Sequence, residues 1–453
     1  MNLPNYFLAD LPPEATLSPL MISEACQTLK RNREQYLANR SLQSMVNLLA
    51  RLADNWLQPE FPFRKFALQS AAATGFSGPT LRRGLDNLFR QMTREKFRTL
   101  IAREIGDAVD ASSGKLEAGS SSKSHLWRGP EFQVHIGAGN IPNPAIMSLV
   151  LGLLTRSAQF MKCASGSSFL PRLFAHSLYE ADPKLGACLE IAEWRGGSAD
   201  LEKALFADAD CVTATGSDET LDSIRAKLPG RVRFLGYGHK VSFAFVTGEI
   251  LFGSGTGKTV AAAADDVVAW NQLGCLSPHV IYVQPGGDVS PEHFAQLLAE
   301  ELAHRETTEP RGEISAEESA AIASRRGIYE IRAAHSPEST RHWRSDGSTA
   351  WTVVFEADPR FQVSCLNRFI YVKPVSDVKS LLENADAVRG RVSTVGVAAP
   401  DEATSELAAQ LAHWGVTRIC PLGRMQDPPL TWRHDGRPPL GDLVTWTDLE
   451  VEL

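Results

Sequence analysis

Apolar residues change their spacing near residue 130. Upstream, over 26–55 and 75–106, they recur three and four positions apart amid dense charge, which predicts helices for most of the first 106 residues. Between them, 55–66 (NWLQPEFPFRKF) reads as a Pro- and aromatic-rich connector. The stretch 106–124 (GDAVDASSGKLEAGSSSKS) reads as a surface loop or a boundary. Downstream, short apolar runs alternate with helical patterns of about ten residues. Strands are predicted at 132–136, 158–162, 188–194, 209–214 and 231–236, with helices at 145–155, 169–180, 199–206 and from 217 to about 228.

A second series repeats the texture, with strands at 241–246, 280–283, 352–356, 369–373 and 393–398. Its helices are expected at 257–272, 291–304, near 378 and at 402–414. The polar stretch 306–346 reads as an insertion with one helix near 316–325, and 418–421 and 443–451 close the chain around a Pro-rich turn region. Strands alternating with helices imply βαβ units, a parallel sheet, and ligands held at a crevice where strand ends meet.

The chain of 453 residues has room for two or three domains, and 43% hydrophobic with 22% charged content is ordinary for a globular protein. A net charge of −7 argues against a nucleic-acid partner. The Arg-rich piece 82–98 is a local exception, but Leu85, Leu88, Phe89 and Met92 fall at helical spacing, so a packed helix with a solvated basic face is expected. Seven scattered cysteines without a CxxC pair fit reduced thiols and a cytoplasmic location, and no metal site is expected. No signal peptide is apparent, and the longest apolar run is too short for a membrane span.

The stretch 265–284 (DDVVAWNQLGCLSPHVIYVQ) focuses the chemistry. Cys275 stands behind Gly274, between a helix expected to end near Gln272 and a buried strand. That is a seat for a nucleophile and equally for a buried structural cysteine. GAGNIP (137–142) lies between a strand and a helix, where Gly137 and Gly139 permit close backbone approach. The dinucleotide fingerprint requires a third glycine where Pro142 stands. Asn140 offers an amide to an oxyanion or stabilises its own turn. Lys162 ends a strand at the same edge, and Thr215, Gly216 and Ser217 open a helix as a phosphate seat or as a simple cap. His239, at the junction of the halves, is a proton carrier or a turn residue. GSGTGKT (253–259) lacks the glycine a phosphate loop requires, which falls at Phe252, and neither G-x-S-x-G nor HExxH occurs in a usable context.

Six stretches in order, GAGNIPNPAI, MKCAS, TATGSDETL, FLGYGHKVSFAFV, DDVVAWNQLGCLSPHVIYV and LNRFIYVKPV, resemble the LuxC-like long-chain acyl-CoA reductases, a branch of the aldehyde dehydrogenase superfamily. The resemblance covers roughly 133–440. It implies an α/β fold of aldehyde dehydrogenase type: a parallel-sheet cofactor-binding domain, an α/β catalytic domain and a small oligomerisation element. The corresponding division is 1–124 (helical part of the cofactor domain), 125–237 (nicotinamide-binding core), 238–425 (catalytic domain) and 426–453 (C-terminal segment, candidate oligomerisation element). It further implies Cys275 as nucleophile, Asn140 as oxyanion donor, Lys162 on the adenosine ribose or its 2′-phosphate, and Gly216 and Ser217 under the pyrophosphate.

One departure narrows the chemistry. Hydrolytic relatives carry a glutamate, in the text ELGGK, that activates water; here GYGHK puts Gly236 in its place. Thiol exchange is then favoured over hydrolysis. The expectation is NADPH-dependent (or NADH-dependent) reduction of a fatty acyl-CoA or carrier thioester to an aldehyde, through an acyl-enzyme and a thiohemiacetal. A homo-oligomer and an acyl-transferring partner enzyme are the associated expectations. A CoA-acylating dehydrogenase working oxidatively with NAD, and a non-catalytic subunit of a biosynthetic complex, are the competing readings. The negative end of the helix before Cys275 would raise its thiol, so activation is expected from the helix after Asn140 or from His239.

Overall fold

A computed structural model describes residues 1, 3–12, 14–106, 109–110 and 125–448. The Gly/Ser-rich stretch after residue 106 and the last five residues therefore lie almost wholly outside the described residues.

The N-terminal helices are Pro19–Tyr36, Leu42–Leu57, Pro62–Gln69, Gly78–Arg90 and Arg94–Glu104. Ser18, Ser41, Ser77 and Thr93 start four of them by accepting an amide hydrogen bond in the first turn. The expected connector itself carries the third helix. Leu85, Leu88, Phe89 and Met92 are buried, so the arginine-rich piece is a packed helix face as expected.

Fifteen strands follow among the described residues: β1 Val109–Asp110, β2 His125–Arg128, β3 Phe132–Ile136, β4 Ala158–Cys163, β5 Leu189–Glu193, β6 Cys211–Thr215, β7 Arg233–Tyr237, β8 Val241–Val246, β9 Pro278–Val283, β10 Thr340–Arg344, β11 Thr352–Glu356, β12 Phe369–Pro374, β13 Val392–Ala398, β14 Arg418–Pro421 and β15 Thr445–Asp448. Strands β3 to β7 form one all-parallel sheet in the order β5-β4-β3-β6-β7. The chain winds outward from β3 to β5, then returns to lay β6 on the other flank of β3. That reversal opens a crevice at the C-terminal ends of β3 and β6.

The second sheet has the order β10-β11-β12-β9-β8-β13-β14, parallel except for β10. Apolar side chains cover both its faces, as continuous apolar strands require. A three-stranded sheet, β1-β2-β15, stands apart and brings the C-terminal strand back to β2. The polar stretch after residue 306 is more ordered than expected. Its helix runs Ala316–His335, started by a Ser315–Glu318 capping box, and β10 adds an antiparallel edge. GSGTGKT is helical from Ser254, one turn earlier than the spacing predicts, which removes it as a phosphate cradle.

Candidate active site

Cys275 lies in the turn that feeds β9, and its surroundings are set by an unusual approach. The preceding helix, Ser254–Val268, stops four residues short of the expected end. Trp270, Asn271 and Gln272 then take left-handed backbone angles, φ 50°, 52° and 66°. Three consecutive non-glycine residues in that region are costly and persist only when side chains enforce them.

All three side chains are buried and tied. The Trp270 indole fills the space over Gly84, where a Cβ would stand 2.0 Å from the ring. The Asn271 amide donates to the Arg311 carbonyl at 2.7 Å, and its oxygen accepts from Arg368 Nη2 at 2.9 Å and Nε at 3.2 Å. The Gln272 amide donates to the carbonyls of Pro278 (2.7 Å) and Phe369 (3.0 Å). Arg368 belongs to a second left-handed run, Leu366 to Arg368, with φ 60°, 53° and 65°. Its guanidinium is fully buried and also binds Glu306 (3.0 Å) and the Glu309 carbonyl (2.8 Å).

Beyond these runs, Ser242 Oγ on β8 donates to the Cys275 carbonyl at 2.7 Å. Gln426 donates to Ser277 Oγ at 2.5 Å and packs on Gly274, where a Cβ would meet it at 2.5 Å. Asn140 Nδ2 donates to the Leu273 carbonyl at 2.8 Å, which clamps the loop after β3 to the cysteine turn.

Cys275 opens into a cleft between the two sheets that encloses about 1290 Å³ of space between protein atoms, part of it open to solvent. Helices Gly78–Arg90 and Asn143–Leu154, the ends of β3 and β6, and residues 426–439 form its walls. The lining is mostly apolar, with Leu88, Ile141, Met147, Leu151, Leu430 and Trp432. Polar residues on β3 and β6, on the flanking helices and in 426–439 interrupt it. His135 Nδ1 lies 2.6 Å from Thr213 Oγ1 and Nε2 lies 2.9 Å from Gln159 Oε1, which assigns the proton to Nε2. Burial lowers this imidazole to about 4, so it is neutral at pH 7.

Burial, then the nearby Asp435 carboxylate, push the Cys275 thiol up to about 12, with Arg418 opposing. The expected culprit was the helix dipole, but the helix ends at Val268 and the left-handed run intervenes before the cysteine.

The other sequence-predicted residues fall in three places: the cleft, an adjoining pocket, and outside both. Gly137 and Thr215 line the cleft with Cys275. Gly139 and Asn140 line a smaller adjoining pocket that shares Gly137 with the cleft. Lys162, at the end of β4, is buried over the Trp194 ring, 5.7 Å from its centroid, and donates no hydrogen bond among the described residues. Ser217 caps the helix Asp218–Lys227, accepting the Thr220 amide at 3.3 Å. His239 is exposed on the β7–β8 linker, its amide donating to Asp218 Oδ1 at 3.1 Å, and it does not line the cleft.

The crevice suits a dinucleotide. A Cβ on Gly139 would stand 3.3 Å from Ala164 and one on Gly216 3.3 Å from Thr220, so both glycines permit close packing of the two loops at the crevice. The Lys162 ammonium, near the Trp194 ring and the Glu202 and Glu193 carboxylates, donates no hydrogen bond among the described residues, and the crevice lies at the strand-order reversal. Asp218 and Glu219 in the first turn of the capped helix oppose an anion there; Asp218 accepts the His239 amide, and Glu219 is exposed and hydrogen-bonded to its own amide and to Ser217.

Sequence reading missed Ser242, Arg368, Gln426, Trp432 and His434. The first two sit inside recognisable stretches, but nothing in their residue type announces a role. The last three belong to the Pro-rich turn region, whose aromatic and histidine content was the available signal.

Comparison with solved structures places the architecture in the aldehyde dehydrogenase class. A bifunctional proline utilization A (PutA) protein superimposes with a TM-score of 0.70 at 16% identity, over 98% of this chain and 45% of that one. The Delta-pyrroline-5-carboxylate dehydrogenase from Mycobacterium tuberculosis gives 0.65 at 14%, over 97% and 84%. Within that class the chain belongs to the acyl-CoA reductase (LuxC) family, whose model matches residues 37–446. A long-chain acyl-protein thioester reductase of Aliivibrio fischeri is 26% identical over 324 residues, 70% of this chain and 63% of that protein. The Vibrio harveyi protein of the same description is 21% identical over 424 residues, 92% of this chain and 84% of that one. The chain thus aligns with less than two thirds of the length of several such relatives. No helix among the described residues is long and apolar enough to cross a membrane.

Proposed function

We propose that this chain reduces an acyl thioester to an aldehyde, with Cys275 as the acyl acceptor. The observation that carries the reading is the seat of Cys275. Its turn is held by Ser242, Gln426 and Asn140 and opens into a mostly apolar cleft, beside the strand-end crevice proposed for a dinucleotide. Gly236, at the position where hydrolytic relatives hold a base, supports acyl transfer over hydrolysis.

In this reading the Cys275 thiolate attacks the thioester carbonyl and the thiol carrier departs. In this proposal the Asn140 amide, which already reaches the cysteine turn through its bond to Leu273, and the Cys275 backbone amide serve the developing oxyanion. Lys162 holds the adenosine ribose or its phosphate, while Gly137, Gly139, Thr215, Gly216 and Ser217 accommodate the rest of the dinucleotide. Bound there, a reduced nicotinamide, NADPH by our reading, supplies hydride to the acyl carbon. His239 stays a candidate for proton delivery from the linker. The relatives' names indicate long-chain acyl groups on a protein, so a carrier or partner enzyme is the proposed donor beside acyl-CoA. The C-terminal segment 426–453 is the proposed place of self-association, and the cytoplasm the proposed location.

Intact-mass spectrometry of the chain after incubation with a panel of acyl-CoAs, without cofactor, tests the reading. Acylation is expected on wild type and absent from Cys275→Ala. Acylation that persists in Cys275→Ala would sink the mechanism. Initial rates in both directions with both cofactors then separate a reductase from an oxidative dehydrogenase.

A further inference from the structure

The Cys275 thiol must lose a proton before it attacks, and the departing thiolate must gain one. In GYGHK the position of the relatives' base is Gly236, so the proton has to be handled from elsewhere. The cleft holds two imidazoles. His135 is ruled out, since both of its ring nitrogens are committed to Thr213 and Gln159. His434 lines the same cleft as Cys275, and neither of its ring nitrogens makes a hydrogen bond among the described residues.

Its placement is well defined. The ring stacks on Tyr237 with centroids 4.4 Å apart and planes 10° from parallel, and Trp432 lies 4.7 Å away. Tyr237 is held on its own account by the Arg437 guanidinium, 4.2 Å from its centroid. Arg437 also donates to the Gly236 carbonyl at 2.7 Å, which joins this C-terminal segment to the strand position the base has vacated.

We propose that His434 carries the proton in the acyl-transfer step, taking it from Cys275 and giving it to the departing thiol. This rests on Cys275 being the acyl acceptor. The Cys275 S–H bond breaks as its proton moves to a ring nitrogen, and a new S–C bond forms at the thioester carbonyl. The old C–S bond then breaks, and the imidazolium protonates the leaving thiolate; no oxidant or reductant enters. Three charged groups act on the ring: Asp435 favours the imidazolium, while Arg437 and Lys240 oppose it. Burial is the largest influence and lowers the imidazole, which leaves it a free base at neutral pH.

The test follows acylation of the purified full chain by decanoyl-CoA without cofactor, read by intact mass and by thiol release, from pH 5.5 to 9. His434→Phe keeps a stacking ring without a base, His434→Gln keeps a polar side chain, and His434→Ala leaves room for added imidazole. Acylation about 100-fold slower in the Phe and Gln variants is expected. Added imidazole should restore about tenfold in the Ala variant and nothing in the Phe variant. The wild-type limb that falls below neutral pH should vanish in both Phe and Gln variants. A Phe or Gln variant that acylates within threefold of wild type with the same pH profile overturns the proposal, and makes His434 a stacking platform. Absence of acylation in wild type itself would instead overturn the reading of Cys275.

Discussion

Arg368→Met should unmake the nucleophile's turn, and the cost can be worked from its contacts. The native guanidinium, fully buried, gives two hydrogen bonds to the Asn271 oxygen, one to Glu306 and one to the Glu309 carbonyl. Methionine fills much of the volume but supplies no donor. Breaking a buried pair by removing one partner costs about 3–5 kcal/mol, since the stranded acceptors stay desolvated. Glu306 is partly exposed and recovers water, which places the loss near 3 kcal/mol.

A second effect is local. The run Trp270 to Gln272 carries about 1–2 kcal/mol of backbone cost per residue, and Asn271 is its middle member. Without Arg368 the run has less to hold it, and the Cys275 turn should relax. Urea denaturation should show the loss of stability. Alkylation of Cys275 by iodoacetamide, followed by peptide mass mapping, should show a rate several-fold above wild type under conditions where both proteins are folded. A stability loss under 1 kcal/mol with an unchanged alkylation rate would refute the claim that Arg368 enforces this turn.

Two further outcomes follow from the same geometry. Leu151 lines the cleft, so Leu151→Trp should shorten the space for an acyl chain. Lost burial of about two methylenes lowers acylation by tetradecanoyl-CoA roughly tenfold while sparing butanoyl-CoA; equal effects on both chains would dismiss the cleft as the acyl site. Asp266 is buried, accepts the Gly423 and Met425 amides at 2.6 and 2.9 Å, and burial raises it from 3.8 to about 7. Its folded value lies above its unfolded one, so its contribution is full below about pH 4 and declines as pH rises through 7. The difference in unfolding free energy between wild type and Asp266→Asn should therefore change across pH 4–7.5, and a flat difference would contradict the assignment.

The alternation of strands and helices was legible because both large sheets are mainly parallel and buried, which leaves short runs rich in apolar residues at β8 and β9, and at β3, β4 and β13 despite Gln133, His135, Gln159, Lys162, Ser393 and Thr394. Cys275 and the loop with Asn140 were legible because glycines mark both turns. The end of the helix before Cys275 was not. Trp270, Asn271 and Gln272 are ordinary helix-compatible residues, and their left-handed conformation is imposed by partners about 40 and 97 positions away in the chain. The helix Ala316–His335 ran past its expected end because its buried stripe, Ile322, Arg326 and Tyr329, includes an arginine that apolar periodicity does not count. The C-terminal wall was illegible for a different reason. Pro428, Pro429 and Pro439 read as turn residues, whereas they line the cleft with Trp432 and His434.

That wall has a consequence for the order in which the molecule is made. Residues 426–439 leave the ribosome after both parallel sheets have been synthesised, yet they complete the enclosure around Cys275. A nascent chain can thus assemble its two cores while the thiol still sits in an open trough. Premature termination near residue 425 would leave the cysteine in place and its last wall missing. The cleft is in this sense closed after its two cores, and chemistry that needs a dry enclosure waits on residues 426–439.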